Sequence, residues 1–255
     1  MHVDDPIVSR IVFHPRIEPL NQRSVGISTE TVSGGEKIGG YLYLHPESRI
    51  LTIFFHGNGE IAVDYDDLSQ FYVAGGISFW VVDYRGYGKS TGTPSYTKMF
   101  VDAEAIFHDI EKIEKIYGRS FHKVMVMGRS LGSASAIYLA SSHPDRVSAL
   151  ILDSPFSHGP ALISRLGGPK LPAEALSGGD NIDRIKTIRM PCLIIHGSQD
   201  WIIPISDAEA LHKACPSQKK KLIKIDGAGH NDLLIRGFNI YFAEIKALIE
   251  SIERR

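Results

Sequence analysis

Short runs of apolar, mostly β-branched residues recur along the chain and constrain its fold more than any other feature. They occupy residues 50–55, 77–82, 124–127, 149–152 and 192–195. These runs lack regular polar alternation, which is the pattern of strands covered on both faces in a parallel sheet. Amphipathic helical patterns separate several of them. The sequence therefore predicts an α/β domain with a mainly parallel sheet.

Two helical patterns and one antiparallel edge complete this prediction. Apolar residues repeat every three or four positions over 99–116, with Gly118 placed to end the helix, and again over 238–252. Near the N-terminus, alternating residues at 25–29 and the run 41–44 flank a Gly-Gly turn signal. We expect antiparallel edge strands there, ahead of the parallel core.

Composition excludes several classes of protein. The 255 residues are 43% hydrophobic, and 28 basic against 29 acidic residues leave a net charge of −1. Neither disorder nor a nucleic-acid-binding surface is indicated, because the first needs low hydrophobicity and the second a basic surplus. The compact basic run at 219–221 leads into Leu222 and is typical of a solvated strand entry.

Cysteine usage and hydropathy predict a cytoplasmic protein with no integral membrane segment. Cys192 and Cys215 are too few for a disulfide framework, no stretch of about 18 apolar residues occurs, and residues 1–10 lack signal-peptide features. We expect no metal, since His56 and His196 have no third ligand at suitable spacing and are better explained as structural hydrogen-bonding groups. No cofactor is expected either, because the Gly-Lys-Ser at 88–90 would need a glycine where Asp83 stands to form a phosphate loop.

Residues 157–190 interrupt the alternation of strands and helices. This segment holds five glycines and three prolines around weak helical pieces. A loop that long inside a compact domain is usually a lid or a binding excursion. We expect residues 1–255 to form a single domain with a small cap at 157–190. Its apolar residues could line a pocket or pack on the main domain, and they are Leu162, Ile163, Leu166, Leu171 and Leu176.

A serine stands where an apolar strand meets a helical stretch. Residues 128–132 match G-x-S-x-G directly after the run 124–127 and before a small-residue helix. The string alone is a weak signal, but the strand–turn–helix context is the one that exposes a serine hydroxyl above a sheet. Ser130 is therefore a candidate nucleophile.

A serine nucleophile needs a histidine base and an orienting carboxylate. His230 lies in a glycine-rich loop after the strand-like residues 222–225, and Asp200 follows the run 192–195. Both come at carboxyl ends of strands, where ligands bind in open α/β sheets. Asp153 also ends a strand and is a rival for the acid, although we prefer Asp200.

The oxyanion of an acyl-transfer reaction requires two backbone donors. One comes from the residue after the nucleophile and the other from the turn after an earlier strand. The turn His56-Gly57-Asn58-Gly59 directly follows the run 50–55. The expected donors are thus the backbone N–H groups of Leu131 and Asn58.

Five motifs in this order, HGNG, DYRGYGKS, GRSLGS, HGSQD and GAGHND, make the chain resemble the α/β-hydrolase superfamily from about residue 13 to residue 252. It is most similar to the small-cap group of carboxylesterases, serine-aminopeptidase-like hydrolases and membrane-bound depalmitoylases. The resemblance implies about eight strands with helices on both faces. It also implies Ser130 as nucleophile, Asp200 as acid, His230 as base, and Asn58 and Leu131 as oxyanion donors. Depalmitoylases of the group carry an N-terminal anchor that residues 1–14 lack, so palmitoylated membrane proteins are not the expected substrate.

The expected function is hydrolysis of small-molecule carboxylic esters or thioesters through an acyl-enzyme. An aminopeptidase or amidase would use the same triad, and an acid in the pocket that binds a free amino group would favour it. Candidates for that acid are Glu174, Asp180 and Asp183. A non-catalytic binding protein of the same fold is the alternative from another class. Substrate identity, acyl length and oligomeric state stay open.

Overall fold

An eight-stranded sheet organises the part of the chain that the computed structural model describes, residues 2–172, 175–176 and 179–254. Its strands stand in the order β1-β2-β4-β3-β5-β6-β7-β8. They are β1 (Ile27–Ser33), β2 (Glu36–Tyr43), β3 (Ile50–Phe55), β4 (Ser78–Val82), β5 (Lys123–Arg129), β6 (Val147–Asp153), β7 (Cys192–Gly197) and β8 (Lys220–Ile225).

Strand direction divides the sheet into two parts. β3 to β8 run parallel to one another, whereas β2, near one edge, is antiparallel to both of its neighbours, β1 and β4. Every residue of β3 and β4 is buried, so helices must cover both faces of the sheet. The predicted parallel core and its antiparallel N-terminal edge are both confirmed.

Helices connect and cover these strands. Those described are α1 (Pro6–Val12), α2 (Asp66–Ala74), α3 (Tyr96–His108), α4 (Ile110–Tyr117), α5 (Ser133–Ser142), α6 (Gly159–Arg165), α7 (Asn181–Arg184), α8 (Ile205–Ala214) and α9 (Leu233–Glu253). Short 3₁₀ turns lie at Ala62–Tyr65, Ser130–Gly132 and Ile185–Thr187. α2 packs on α9 through aromatic contacts of Phe71 with Phe238 and Phe242. In another group of helices, α5 contacts both α3 and α7.

The predicted helix over 99–116 is wrong in one respect, since it is divided into α3 and α4. Asp109, with ψ of −4°, separates them, and its carboxylate accepts a hydrogen bond from Thr31 Oγ1 at 2.8 Å. This tertiary contact with β1 fixes the end of α3. The spacing of apolar residues along the sequence carries no information about such a contact. Gly118 ends α4 at a φ of +59°, as its position predicted.

Two helix starts also differ from the sequence prediction. The C-terminal helix begins at Leu233, before the apolar repeat at Phe238. Helix α1 was not predicted, and its first turn is capped by Asp5, whose side chain accepts the Ile7 N–H at 2.9 Å. None of the described helices has the length and apolar character needed to cross a membrane.

Candidate active site

Ser130 lies on a tight turn between β5 and α5. Its φ is +50°, a left-handed conformation that non-glycine residues rarely adopt. Glycines permit the turn to pack closely: a Cβ on Gly128 would lie 2.3 Å from the Gly132 carbonyl oxygen, and one on Gly132 would lie 2.1 Å from that of Phe55. Both glycines of the G-x-S-x-G string are thus required by close backbone packing, within the turn at Gly128 and against the end of β3 at Gly132.

Gly132→Ala is expected to destabilise the protein by about 3 kcal/mol, because the added methyl collides with backbone rather than with a movable side chain. Denaturant unfolding measures the effect. Gly118→Ala is the matched control, since its Cβ would meet no atom within 4 Å and only the left-handed φ would cost energy, about 1 kcal/mol. Equal losses for the two variants would show that close packing at Gly132 is not required.

The histidine loop brings His230 onto the serine turn. His230 Nε2 lies 2.9 Å from Ser130 Oγ, and Nδ1 lies 2.7 Å from Asp200 Oδ2. All three residues are at least nine-tenths buried. The structure therefore joins the three residues that the sequence singled out in one hydrogen-bonded chain, with the hydroxyl and carboxylate on opposite sides of the imidazole.

Asp200 is held by contacts on both of its oxygens. Oδ1 accepts the backbone N–H groups of Ile202 at 2.9 Å and Ile203 at 2.8 Å, while His196 Nε2 lies 3.4 Å from Oδ2. Burial alone would raise the pKa of Asp200, but hydrogen bonds from His196 and His230 outweigh it and hold that pKa well below its usual range. The carboxylate stays ionised and fixed beside the imidazole.

The rival carboxylate belongs to a different network. Asp153 accepts Ser154 Oγ at 2.9 Å and the Tyr241 hydroxyl at 3.1 Å. Among the described residues it forms no hydrogen bond with His230, whose Nδ1 is directed at Asp200. The geometry favours Asp200 as the orienting acid.

A cavity of about 210 Å³ opens beside Ser130 and His230. Its walls are largely apolar, formed by Val12, Leu131, Leu162, Leu166 and Ile202, with Asn58, Arg129 and Asn231 beside the serine and histidine. The Asn58 side chain is engaged elsewhere, accepting the Tyr87 hydroxyl at 2.7 Å and donating to the Val12 carbonyl at 2.6 Å. Its backbone N–H is thus the group suited to the expected oxyanion role, together with that of Leu131.

The segment 157–190, which the sequence predicts to be a cap, supplies part of this wall. Leu162 and Leu166 line the cavity, as one of the two sequence interpretations proposed. Ile163 and Leu176 instead lie in the hydrophobic core, and Leu171 packs against it. The second interpretation was that these apolar residues pack on the main domain, and these three do. Each interpretation therefore holds for part of the segment.

Other candidate residues have structural contacts. His56 Nδ1 lies 2.7 Å from the Gly57 carbonyl and His196 Nε2 lies 2.8 Å from that of Ile203, which fits the hydrogen-bonding role expected of both. Asp180 accepts the N–H groups of Gly159 and Asn181, and Asp183 pairs with Lys186. Glu174 lies outside the described residues.

Three contributors to the site were missed at the level of sequence. Val12 reaches the cavity from α1, Arg129 lines it, and Glu60 forms a partly buried ion pair with Arg129. Arg129 occupies the variable position of G-R-S-L-G, where the motif imposes no residue type. Arg129 is a charged residue just after an apolar strand run, and this was the one signal in the sequence that could have identified it.

The sheet order, together with a serine, a carboxylate and a histidine that follow β5, β7 and β8, is the arrangement of α/β-hydrolases. A family model described as serine aminopeptidase, S33, matches residues 46–171 and 161–234. The chain belongs to this family of the α/β-hydrolase superfamily.

Relatives and solved structures agree with this assignment. Alpha/beta hydrolase domain-containing protein 17C of Xenopus tropicalis is 33% identical over 193 residues, which are 74% of this chain and 58% of that protein. Protein bem46 of Schizosaccharomyces pombe is 33% identical over 210 residues, covering 76% and 67%. The chain thus spans a little over half the length of the first relative. The esterase Pf2001 of Pyrococcus furiosus superposes with a TM-score of 0.73 at 19% identity, over 94% of this chain and 99% of that one, and shares the fold.

Proposed function

We propose that the protein is a serine hydrolase that cleaves carboxylic esters or thioesters through an acyl-enzyme. The observation that carries the proposal is the hydrogen-bonded chain from Ser130 through His230 to Asp200, beside an apolar cavity. A serine hydroxyl becomes a nucleophile when a base lies within hydrogen-bond reach and a carboxylate holds that base in the right tautomer. The same geometry favours an enzyme over a non-catalytic binding protein.

Acylation begins with attack of Ser130 Oγ on the substrate carbonyl carbon, while His230 Nε2 takes the hydroxyl proton. The carbonyl oxygen becomes an oxyanion, stabilised by the backbone N–H groups of Leu131 and Asn58. The imidazolium that forms is stabilised by Asp200 through Nδ1–H. As the tetrahedral intermediate collapses, His230 gives its proton to the departing alcohol or thiol, and the acyl group stays on Ser130.

Deacylation repeats these steps with water. His230 removes a proton from a water molecule, whose oxygen attacks the acyl carbon. The ester bond to Ser130 Oγ then breaks, and the serine recovers its proton from His230. One ester and one water yield one acid and one alcohol or thiol.

An ester or thioester fits the cavity better than an aminoacyl substrate. A free amino group needs a nearby carboxylate, but the part of the cavity lining that the structure describes contains no Asp or Glu. Asp180 and Asp183 are engaged in the contacts given above. The apolar wall instead suits an acyl chain.

Acyl length is expected to control activity. Each buried CH₂ contributes about 0.8 kcal/mol, so kcat/KM should rise from acetyl toward about butyryl to octanoyl esters and then fall as the cavity fills. A series of p-nitrophenyl esters, run beside acyl thioesters and aminoacyl anilides, measures this. A maximum at palmitoyl, or on the anilides, would contradict the proposal.

A variant of the cavity wall sharpens the same experiment. We propose that residues 157–190 act as a small cap on a single domain, and Leu166 of this segment lines the cavity while remaining 37% exposed. Leu166→Trp is expected to move the optimum to shorter acyl groups. Ile116→Trp, at a 61% exposed position on α4, is the matched control and should leave the profile unchanged. An unchanged profile in Leu166→Trp would show that the acyl chain lies elsewhere.

A further inference from the structure

We infer that Arg129 is a positioning residue that ties the histidine loop to the serine turn and to the loop of the expected oxyanion donor. The inference rests on the proposed function for its kinetic consequence, whereas the tie itself is a matter of structure. Arg129 is the last residue of β5, directly before Ser130.

The guanidinium of Arg129 has two different partners. Nη2 donates to the backbone carbonyl of His230 at 3.0 Å, and Nη1 pairs with a carboxylate oxygen of Glu60. The Arg129 side chain is only 14% exposed. Its planar fork presents a separate nitrogen to each partner in a fixed geometry, whereas lysine would have to reach both partners with one nitrogen.

Glu60 links Arg129 to the backbone of the loop at 57–60. Its other oxygen accepts the Gly57 N–H at 2.7 Å and also the Tyr65 hydroxyl. A Cβ on Gly57 would lie 2.5 Å from Arg129 Nη1, so the loop and the guanidinium are in close approach. Asn58 follows Gly57 directly. Directly and through Glu60, Arg129 therefore connects the serine turn, the histidine loop and the loop of the expected oxyanion donor.

Both members of the ion pair are in their charged forms. Burial alone would lower the pKa of Arg129, but the charge of Glu60 outweighs it and the pKa is raised. Burial would likewise raise the pKa of Glu60, yet Arg129 and the Tyr65 hydroxyl lower it. A desolvated, hydrogen-bonded pair of this kind fixes its partners more firmly than an exposed one.

Sheet topology explains why the histidine loop needs such a tie. β8, which precedes the loop, is the edge strand and pairs with β7 alone. β5, which carries the serine, is separated from β8 by β6 and β7. Arg129 spans this gap with one contact to the His230 carbonyl, so the backbone of the base is fixed relative to the nucleophile. Loss of the contact should weaken orientation rather than substrate binding.

Arg129→Lys tests orientation while keeping the charge. Lysine can pair with Glu60 but lacks the second nitrogen that contacts the His230 carbonyl in the arginine, so we expect that contact to be lost. The fold should be retained while kcat falls about 10²-fold, with KM changed less than about twofold. Arg146→Lys is the matched control. Arg146 also pairs with a glutamate and a carbonyl, with Nη1 donating to Phe121 O at 3.0 Å and Nη2 lying 3.7 Å from Glu114, but it precedes β6 at the opposite end of the sheet.

A second set of variants separates positioning from stability. Arg129→Met leaves the partly buried carboxylate of Glu60 without its cationic partner and should lower the midpoint of thermal unfolding. Adding Glu60→Gln removes that buried charge and should restore the midpoint, while kcat stays low because the contact with His230 is still missing. Recovery of kcat together with stability would overturn the positioning role.

Hydrogen exchange of the backbone amides at 226–232 tests whether Arg129 holds the histidine loop, and it does not depend on an activity assay. Exchange there should speed up in Arg129→Lys and not in Arg146→Lys, whatever substrate the enzyme uses. Unchanged exchange, or a kcat within about twofold of wild type, would overturn the inference. A wild-type protein that hydrolyses none of the esters or thioesters would instead overturn the proposed function, and the exchange result would still decide whether Arg129 holds the loop.

Discussion

Ser130→Ala is expected to reduce ester hydrolysis to background, a loss of about 10⁵- to 10⁶-fold in kcat, and to abolish labelling by a fluorophosphonate probe. The reason is chemical: among the residues that the structure describes, the Ser130 hydroxyl is the one group within hydrogen-bond reach of His230 Nε2, at 2.9 Å, that can be acylated. Steady-state rates on the best p-nitrophenyl ester and labelling detected by mass spectrometry measure the two effects.

Ser154→Ala provides an unusually close control for this loss. Ser154 also has a left-handed φ, +49°, and follows β6, the strand next to β5. Its hydroxyl, however, donates to Asp153 at 2.9 Å and not to a histidine. Labelling should persist in Ser154→Ala. Labelling that survives Ser130→Ala would show that another residue is the nucleophile.

Asp200→Asn is expected to lower kcat by about 10³- to 10⁴-fold with the fold intact, because an amide in place of the carboxylate favours the wrong tautomer of His230. The carboxylate oxygen 2.7 Å from Nδ1 accepts a hydrogen bond from Nδ1–H, and this tautomer leaves Nε2 unprotonated as the base. Rates measured on the same ester as for Ser130→Ala, with circular dichroism to check folding, give the effect.

Asp153→Asn is the matched comparison, since both carboxylates are buried and both lie at the carboxyl ends of parallel strands, Asp153 as the last residue of β6 and Asp200 just after β7. Asp153 is bound to Ser154 and Tyr241, so its loss should affect stability more than turnover. If Asp153→Asn had the larger effect on kcat, Asp153 would be the orienting acid and the assignment of Asp200 would be wrong.

The parallel core and the placement of the site were accessible from sequence because both depend on local patterns. Buried strands read as apolar runs, and β3 lies at 50–55 as predicted. Residues directly after such strands meet at one edge of the sheet, so Ser130, Asp200 and His230 could be placed together without coordinates.

Features fixed by long-range contacts could not be predicted in this way. Arg129 meets Glu60 and the His230 carbonyl, residues 69 and 101 positions away. Asp109 ends α3 through a contact with Thr31, 78 positions earlier, and Val12 reaches the cavity from a helix of only seven residues. In each case the role of the residue depends on a tertiary contact. The local sequence pattern does not distinguish that residue from other residue types at the same position.

Trapping of the acyl-enzyme tests the proposed chemistry most directly. Rapid acid quenching of wild-type protein with excess p-nitrophenyl butyrate, followed by peptide mapping, should find the mass of one butyryl group on the peptide that contains Ser130, formed in a burst with p-nitrophenol release. Ser154→Ala should give the same adduct, and Ser130→Ala should give none. Turnover of the ester with no acyl group on Ser130 at any quench time, or with the group on another residue, would contradict an acyl-enzyme at this serine.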